Sequence, residues 1–158
     1  MEKKQISLRE LAVNCGPYIA LILLLVVCCI SSESFRQWRN LVNICRQVSY
    51  SGIIALGMTL VIIGGGIDLA VGSLLALAGV AAVMVMNQFV DPATGLALGM
   101  LAAVGVGLAG GALNGTLVTI GRIPPFIATL GTLSIFRSIA LYAADAGLVS
   151  SRNEYFRK

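Results

Sequence analysis

This chain of 158 residues contains no histidine, and charged side chains make up only 11% of it. Without histidine, neither a Ser-His-Asp triad nor a Cys-His pair can be assembled. The sequence also has no G-x-x-x-x-G-K-[ST] loop for phosphate, and the glycines at 64–66 lack the flanking strand and distal acid of a dinucleotide site. We therefore predict that the chain is not an enzyme and binds no cofactor itself.

Cysteine is scarce as well, and its spacing argues against metal or disulfide chemistry. The four cysteines form no C-x-x-C pair, and Cys28 and Cys29 are adjacent within an apolar run. We expect buried, inert thiols and no metal site.

Hydrophobic residues, in contrast, account for 58% of the chain, and the mean hydropathy is +0.92. Such a composition leaves too little polar surface to coat a soluble globule, so the sequence predicts an integral protein of the lipid bilayer. The net charge of +4 does not indicate a nucleic-acid partner, because the basic residues lie at the ends of apolar segments and form no patch with aromatic residues. They are typical of membrane flanks.

The apolar segments predict an all-α, polytopic bundle of transmembrane helices with one helix broken by glycine. About 20 apolar residues cross a ~30 Å hydrocarbon core. Residues 50–87 carry a single charge and would form one helix of ~57 Å, so they must break. The first span should be retained, because no small-residue cleavage site follows it. The predicted spans are 11–30, 50–65, 68–87, 94–120 and 125–144.

The break is predicted at Gly64, Gly65 and Gly66, shortly before Asp68 and Ser73. Glycine costs a helix interior about 1 kcal/mol relative to alanine, and an ionised Asp facing lipid costs several kcal/mol. This run should therefore face protein or water, as a transport pathway does. Asp68 has two open roles, which are capping a helix end and hydrogen-bonding substrate hydroxyls.

Arg137 is the one charged residue well inside the last predicted span. Two roles are open for it. It either pairs with Asp68 in a polar interior or extends to a membrane interface.

A small residue occupies every fourth position of the fourth predicted span. Such spacing follows the i±4 ridge of a helix, and small-xxx-small patterns allow membrane helices to approach closely. We predict a helix-packing face whose partner lies in this chain or in another. Its members are Gly95, Gly99, Ala103, Gly107, Gly111 and Gly115.

Four stretches, in this order, resemble motifs of the permease subunits of bacterial ABC importers for ribose, xylose and related sugars, a branched-chain-permease-like family. They are NLVNICRQ at 40–47, ALGMTLVI at 55–62, GGIDLAVGS at 65–73 and PPFIATLGT at 124–132. The resemblance extends to about Arg137. It departs at Ala70, where the family usually has serine, and after Leu141.

This resemblance implies a translocation subunit of an ATP-driven monosaccharide importer in the bacterial inner membrane. The implied partners are a second permease subunit, cytoplasmic ATPase subunits that use the ATP, and a periplasmic sugar-binding protein. Such permeases are longer, so the chain resembles an N-terminal half. It is then a fragment, the product of a truncated frame, or a half completed by a separately encoded chain.

Alternatives to this interpretation concern topology and function. We favour five spans, although four spans with a re-entrant break would leave more basic residues inside, as the positive-inside rule expects. The chain is alternatively a small membrane protein that oligomerises through its glycine face, or a nonfunctional permease remnant without transport of its own.

Overall fold

The structure is a computed structural model that describes residues 8–157, with side chains from residue 15 to residue 156. Within this part the chain forms helices and no strand, which confirms the predicted all-α class. In chain order the helices are α1 (Leu8–Ser31), α2 (Glu33–Arg36), α3 (Trp38–Ile63), α4 (Val71–Met86), α5 (Pro92–Thr119), α6 (Pro125–Ala143) and α7 (Glu154–Arg157).

Three of the described helices, α3, α5 and α6, are long and apolar enough to cross a membrane. Helix α4 has 16 residues and rises only about 24 Å, which is less than a ~30 Å hydrocarbon core. Large apolar side chains such as Leu56 and Leu108 are 72% and 70% exposed on these helices. Lipid is the solvent that accommodates such a surface, so the chain is a membrane protein.

The helix boundaries differ most from the prediction around the second span. The predicted segment 50–65 forms only the later part of α3, because that helix already begins at Trp38. No glycine or proline lies between residues 38 and 51 to interrupt it. The predicted segments 11–30, 68–87, 94–120 and 125–144 overlap α1, α4, α5 and α6. How many of them cross the bilayer stays a prediction.

The described helices divide into two compact units, with the boundary between Ile53 and Ile54 in α3. In the first unit, α1 contacts α2, and the Arg36 guanidinium donates a hydrogen bond to the Cys29 carbonyl at 3.0 Å. All four cysteines are free thiols. Cys45 is exposed and the other three are half-buried, so the expectation of buried thiols is wrong for the described chain.

Helix α4 is the centre of the second unit, where it packs against both α5 and α6. Gly95 and Gly99 make the contact with α5 close. A Cβ atom at Gly99 would lie 2.8 Å from the Ala82 carbonyl oxygen, and one at Gly95 would lie 2.9 Å from the Met86 carbonyl oxygen. The two backbones can therefore approach this closely only because α5 has glycine at these positions.

Helix α5 begins with a complete N-terminal cap. The Asp91 carboxylate accepts hydrogen bonds from the hydroxyl and the backbone N–H of Thr94, and Pro92 occupies the first turn. These two hydrogen bonds lower the pKa of the Asp91 carboxyl below its ordinary value. The cap satisfies backbone donors that the first turn leaves without partners, so it defines where the helix starts.

The polar end of the chain folds back onto the turn between α4 and α5. The Asn87 side chain donates to the Ser150 carbonyl at 3.0 Å and accepts from the Arg152 N–H at 2.7 Å. Asn153 donates to the Pro92 carbonyl at 2.7 Å and accepts from the Tyr155 N–H, which caps α7. This end of the unit is thus held by side-chain hydrogen bonds to backbone.

The contact between α4 and α5 predicts opposite effects for two substitutions of the same type. Gly99→Ala should lower the free energy of unfolding by about 1–3 kcal/mol, because its methyl group would meet backbone. Gly107→Ala, where the added atom has open space, should raise it by up to about 1 kcal/mol. Thermal unfolding of both variants in detergent, followed by circular dichroism, measures the difference. Equal midpoints would contradict the close backbone contact.

Candidate functional site

Helix α3 ends at Ile63, and the three glycines that follow terminate it with backbone hydrogen bonds. Gly65 has φ +77°, in the left-handed region that glycine adopts without strain. Its N–H donates to the Ile62 carbonyl at 2.9 Å, and the Gly66 N–H donates to the Val61 carbonyl at 3.0 Å. This pair of hydrogen bonds is a Schellman motif. The predicted glycine break is therefore confirmed.

The Asp68 side chain lies between this break and the start of α4. Its Oδ1 accepts a hydrogen bond from the Ala70 N–H at 2.7 Å, one residue before α4 begins. A carboxylate at this place satisfies an unpaired N–H and interacts favourably with the helix dipole. The second oxygen, Oδ2, accepts no hydrogen bond from the described residues. Asp68 is half-buried, and it closes a turn just before α4 while its second oxygen stays available to another donor.

Two other predicted site residues, Ser73 and Arg137, do not line the cavity beside Asp68. Ser73 is buried, and its hydroxyl donates to the Ala70 carbonyl at 2.8 Å within the first turn of α4. Arg137 is exposed on α6, roughly 12 Å along the helix axis from Thr129, which lies beside the Asp68 loop. The structure forms no ion pair between Asp68 and Arg137.

A cavity of about 310 Å³ opens beside the Asp68 loop. Its walls come from the break after α3, the second half of α5 and the start of α6. Most of the lining is apolar, and the polar side chains are one carboxylate, one amide and two hydroxyls. The lining residues are Val61, Gly64, Gly66, Ile67, Asp68, Gly111, Asn114, Gly115, Val118, Thr119, Pro125 and Thr129.

Thr129 joins α6 to the loop that carries Asp68. Its side chain is 3% exposed, and its hydroxyl lies 2.8 Å from the Pro125 carbonyl and 3.3 Å from the Ile67 carbonyl. The hydroxyl proton is thereby engaged, while the oxygen lone pairs can still accept a hydrogen bond. Thr129 therefore holds one wall of the cavity in place.

Asn114, like Thr119 and Thr129, is a polar residue of this cavity that the sequence did not single out. It is 6% exposed, and neither its Nδ2 nor its Oδ1 has a hydrogen-bond partner. The signal that would have found it is simple, because Asn114 is the single amide side chain in a helix built almost entirely of small and apolar residues. An unpartnered buried amide costs about 1–3 kcal/mol relative to a satisfied one.

The stripe of small residues on α5 does not face one neighbour along its whole length. Four residues turn a helix by about 40° more than a full revolution, so the stripe winds around α5. Gly95 and Gly99 contact α4, and Ala103 is half-buried. An added Cβ would meet open space at the remaining positions, of which the last two border the cavity. These positions are Gly107, Gly111 and Gly115.

A different glycine makes the next close contact with α4. At Gly110, an added Cβ would collide with the side chain of Leu74. Gly110 lies three residues beyond Gly107, and Asn114 follows four residues later on the same buried side. Gly99 and Gly110, which both contact α4, are eleven residues apart, which is about three turns of a 3.6-residue helix and not a multiple of four.

Comparisons with known proteins agree on the kind of protein this chain is similar to. A protein-family model described as "Branched-chain amino acid transport system / permease component" matches residues 40–156. The chain is 38% identical over 149 residues to the ribose import permease protein of Bacillus subtilis, which covers 94% of this chain and 45% of that protein. No solved structure matches the chain significantly.

The names of two further relatives mention other sugars. The D-allose transport system permease protein of Escherichia coli is 39% identical over 132 residues, which is 84% of this chain and 40% of that protein. The xylose transport system permease protein of Haemophilus influenzae is 35% identical over 143 residues, which is 88% of this chain and 37% of that protein. The chain thus spans less than half the length of these curated relatives.

The hydrogen bond from Ala70 to Asp68 predicts how two substitutions differ. Asp68→Ala should lower the free energy of unfolding by about 1 kcal/mol, because the Ala70 N–H loses its acceptor. Asp68→Asn should lower the free energy of unfolding much less, since an asparagine side chain closes the same turn. Thermal unfolding in detergent measures both. A midpoint for Asp68→Ala equal to that of the unaltered chain would exclude a stabilising role for this hydrogen bond.

Proposed function

The chain belongs to the family of permease components of branched-chain amino acid transport systems, and on this basis we propose that it is the translocation part of an ATP-driven monosaccharide importer. The observation that carries the proposal is the placement of the Asp68 carboxylate and the buried Asn114 amide on one cavity beside a broken membrane helix. Polar groups placed in this way within an apolar bundle are typical of a substrate path.

The chemistry of the cavity favours a sugar over an amino acid. A sugar presents hydroxyl groups, each of which donates and accepts, and these suit a lining of carboxylate, amide and threonine oxygens. An amino acid is a zwitterion whose carboxylate needs a cation or several N–H donors. None of the described residues that line this cavity is basic. The names of the curated relatives, which mention ribose, D-allose and xylose, point to the same class.

The partners and the location follow from this proposal. We propose that the chain lies in the bacterial inner membrane beside a second permease subunit. In this arrangement it receives sugar from a periplasmic binding protein, and cytoplasmic ATPase subunits use the ATP. The chain itself then binds no cofactor. The chain spans less than half of its curated relatives, and in this proposal further sequence or another chain supplies the rest of the permease.

A second function stays open because part of the α5 glycine face is unoccupied. Gly107 and Gly111 have open space where a Cβ would be added, so another helix could approach there. If the chain only oligomerises through this face, Gly107→Leu with Gly111→Leu should dissociate the oligomer. An unchanged oligomer mass in detergent would exclude that function and leave transport as the proposal.

Uptake of radiolabelled D-ribose tests the proposed function. A strain without its own ribose permease should accumulate the sugar only when it expresses this chain, the rest of the permease, the ATPase and the binding protein together. Substituting the phosphate-binding lysine of the ATPase should reduce uptake to background, since that change removes the energy source. Failure of the completed permease to co-purify with the ATPase and to take up sugar would refute the proposal.

A further inference from the structure

The Asn114 amide has more hydrogen-bonding capacity than the described structure uses. An asparagine side chain offers two N–H donors and two acceptor lone pairs, and all four are free here. The residue is 6% exposed. Buried polar groups without partners are rare in native proteins and call for an explanation. Helix formation does not supply one, because leucine would suit this position in α5 better on propensity and on burial.

The position of Asn114 on α5 places it on the cavity wall. Gly111, Gly115 and Val118 line the cavity from the same helix, and Gly111 and Val118 lie three residues before and four residues after Asn114, on the same face. Asp68 and Thr129 line it from the other two walls. Gly111 and Gly115 on this wall carry no side chain, and a Cβ added at either would meet open space.

We propose that Asn114 is a specificity-determining residue, whose amide hydrogen-bonds two neighbouring hydroxyl groups of a monosaccharide in this cavity. The amide oxygen accepts from one hydroxyl and the NH₂ group donates to the next. Asp68 accepts from a further hydroxyl through its unused Oδ2. This inference rests on the proposed transport function and adds the residue that recognises the substrate.

The size of the cavity agrees with such a ligand. Its volume of about 310 Å³ lies at the small end of the ~300–1,000 Å³ range of small-molecule sites, as a single sugar requires. The walls are mostly apolar with few polar groups, which is the usual composition of a site that fixes the orientation of its ligand. A site that hydrogen-bonds a hydroxyl discriminates against an analogue that lacks it, since its own polar groups are then unpaired.

The test combines one substitution with one missing hydroxyl. In the completed importer, uptake of D-ribose and of 2-deoxy-D-ribose is measured for the unaltered chain and for Asn114→Leu. The unaltered importer should prefer ribose by about tenfold in kcat/KM, and Asn114→Leu should remove most of that preference. Asn114→Leu should not lower the thermal midpoint and should raise it if the larger side chain fits, because it removes an unpartnered buried amide and no hydrogen bond within the described chain.

Asn87→Ala is the matched control. This asparagine holds the other end of the unit, where it bonds Ser150 and Arg152. Its replacement should lower the thermal midpoint and leave the preference for ribose unchanged. If lower stability alone reduced the preference for ribose, Asn87→Ala would reduce it as well.

The outcomes separate this inference from the proposed function. If the importer takes up ribose and Asn114→Leu keeps the full preference, the inference is overturned and the transport function stands. If the unaltered, fully assembled importer takes up no sugar, the inference and the proposed function are both refuted.

A direct measurement covers the case in which Asn114→Leu does not assemble. The NMR resonances of the Asn114 side-chain NH₂ group should shift when D-ribose is added to the chain in nanodiscs, and should stay in place with L-leucine. Equal absence of a shift with both compounds would assign the amide to water or to another helix.

Discussion

The close backbone contact of α4 with α5 at Gly95 and Gly99 positions the rest of the second unit. Lipid is as apolar as leucine, so helices in a bilayer associate by packing and hydrogen bonding and not by the hydrophobic effect. Atomic contact along these glycines sets the distance and the rotation of the two helices. Asp68 precedes the first turn of α4 and Asn114 lies on α5, so the same contact places both polar groups at the cavity.

A break in a membrane helix exposes backbone groups, and these need partners where water is excluded. The end of α3 meets this need with the left-handed Gly65 and two backbone hydrogen bonds, and the start of α4 meets it with the Asp68 carboxylate. Thr129 adds a hydrogen bond from α6 to the loop between them. The break is thus a hydrogen-bonded element, in which the Asp68 carboxylate has one oxygen bound and one oxygen free of partners among the described residues.

The polar groups of the cavity differ in how much of their hydrogen-bonding capacity is satisfied within the described chain. Asp68 and Thr129 have structural partners and keep part of their hydrogen-bonding capacity, whereas Asn114 has no partner. The first two therefore explain why the cavity keeps its shape. Asn114 contributes nothing comparable to the fold, and a role toward a ligand gives a physical reason for its presence. The described lining contains no basic residue, which is compatible with the neutral, hydroxylated ligand proposed above.

The sequence by itself determined the membrane location, the all-α class, the glycine break and the family, because composition, segment length and short motifs are local properties. Helix boundaries were less predictable, as α3 shows by beginning at Trp38. Only the tertiary structure decided that Gly110 meets α4 while Gly111 faces open space, that Arg137 lies apart from Asp68, and that Asn114 is buried without a partner. These outcomes depend on how a 3.6-residue helix is rotated against its neighbours, and a four-residue repeat read along the chain does not contain that rotation.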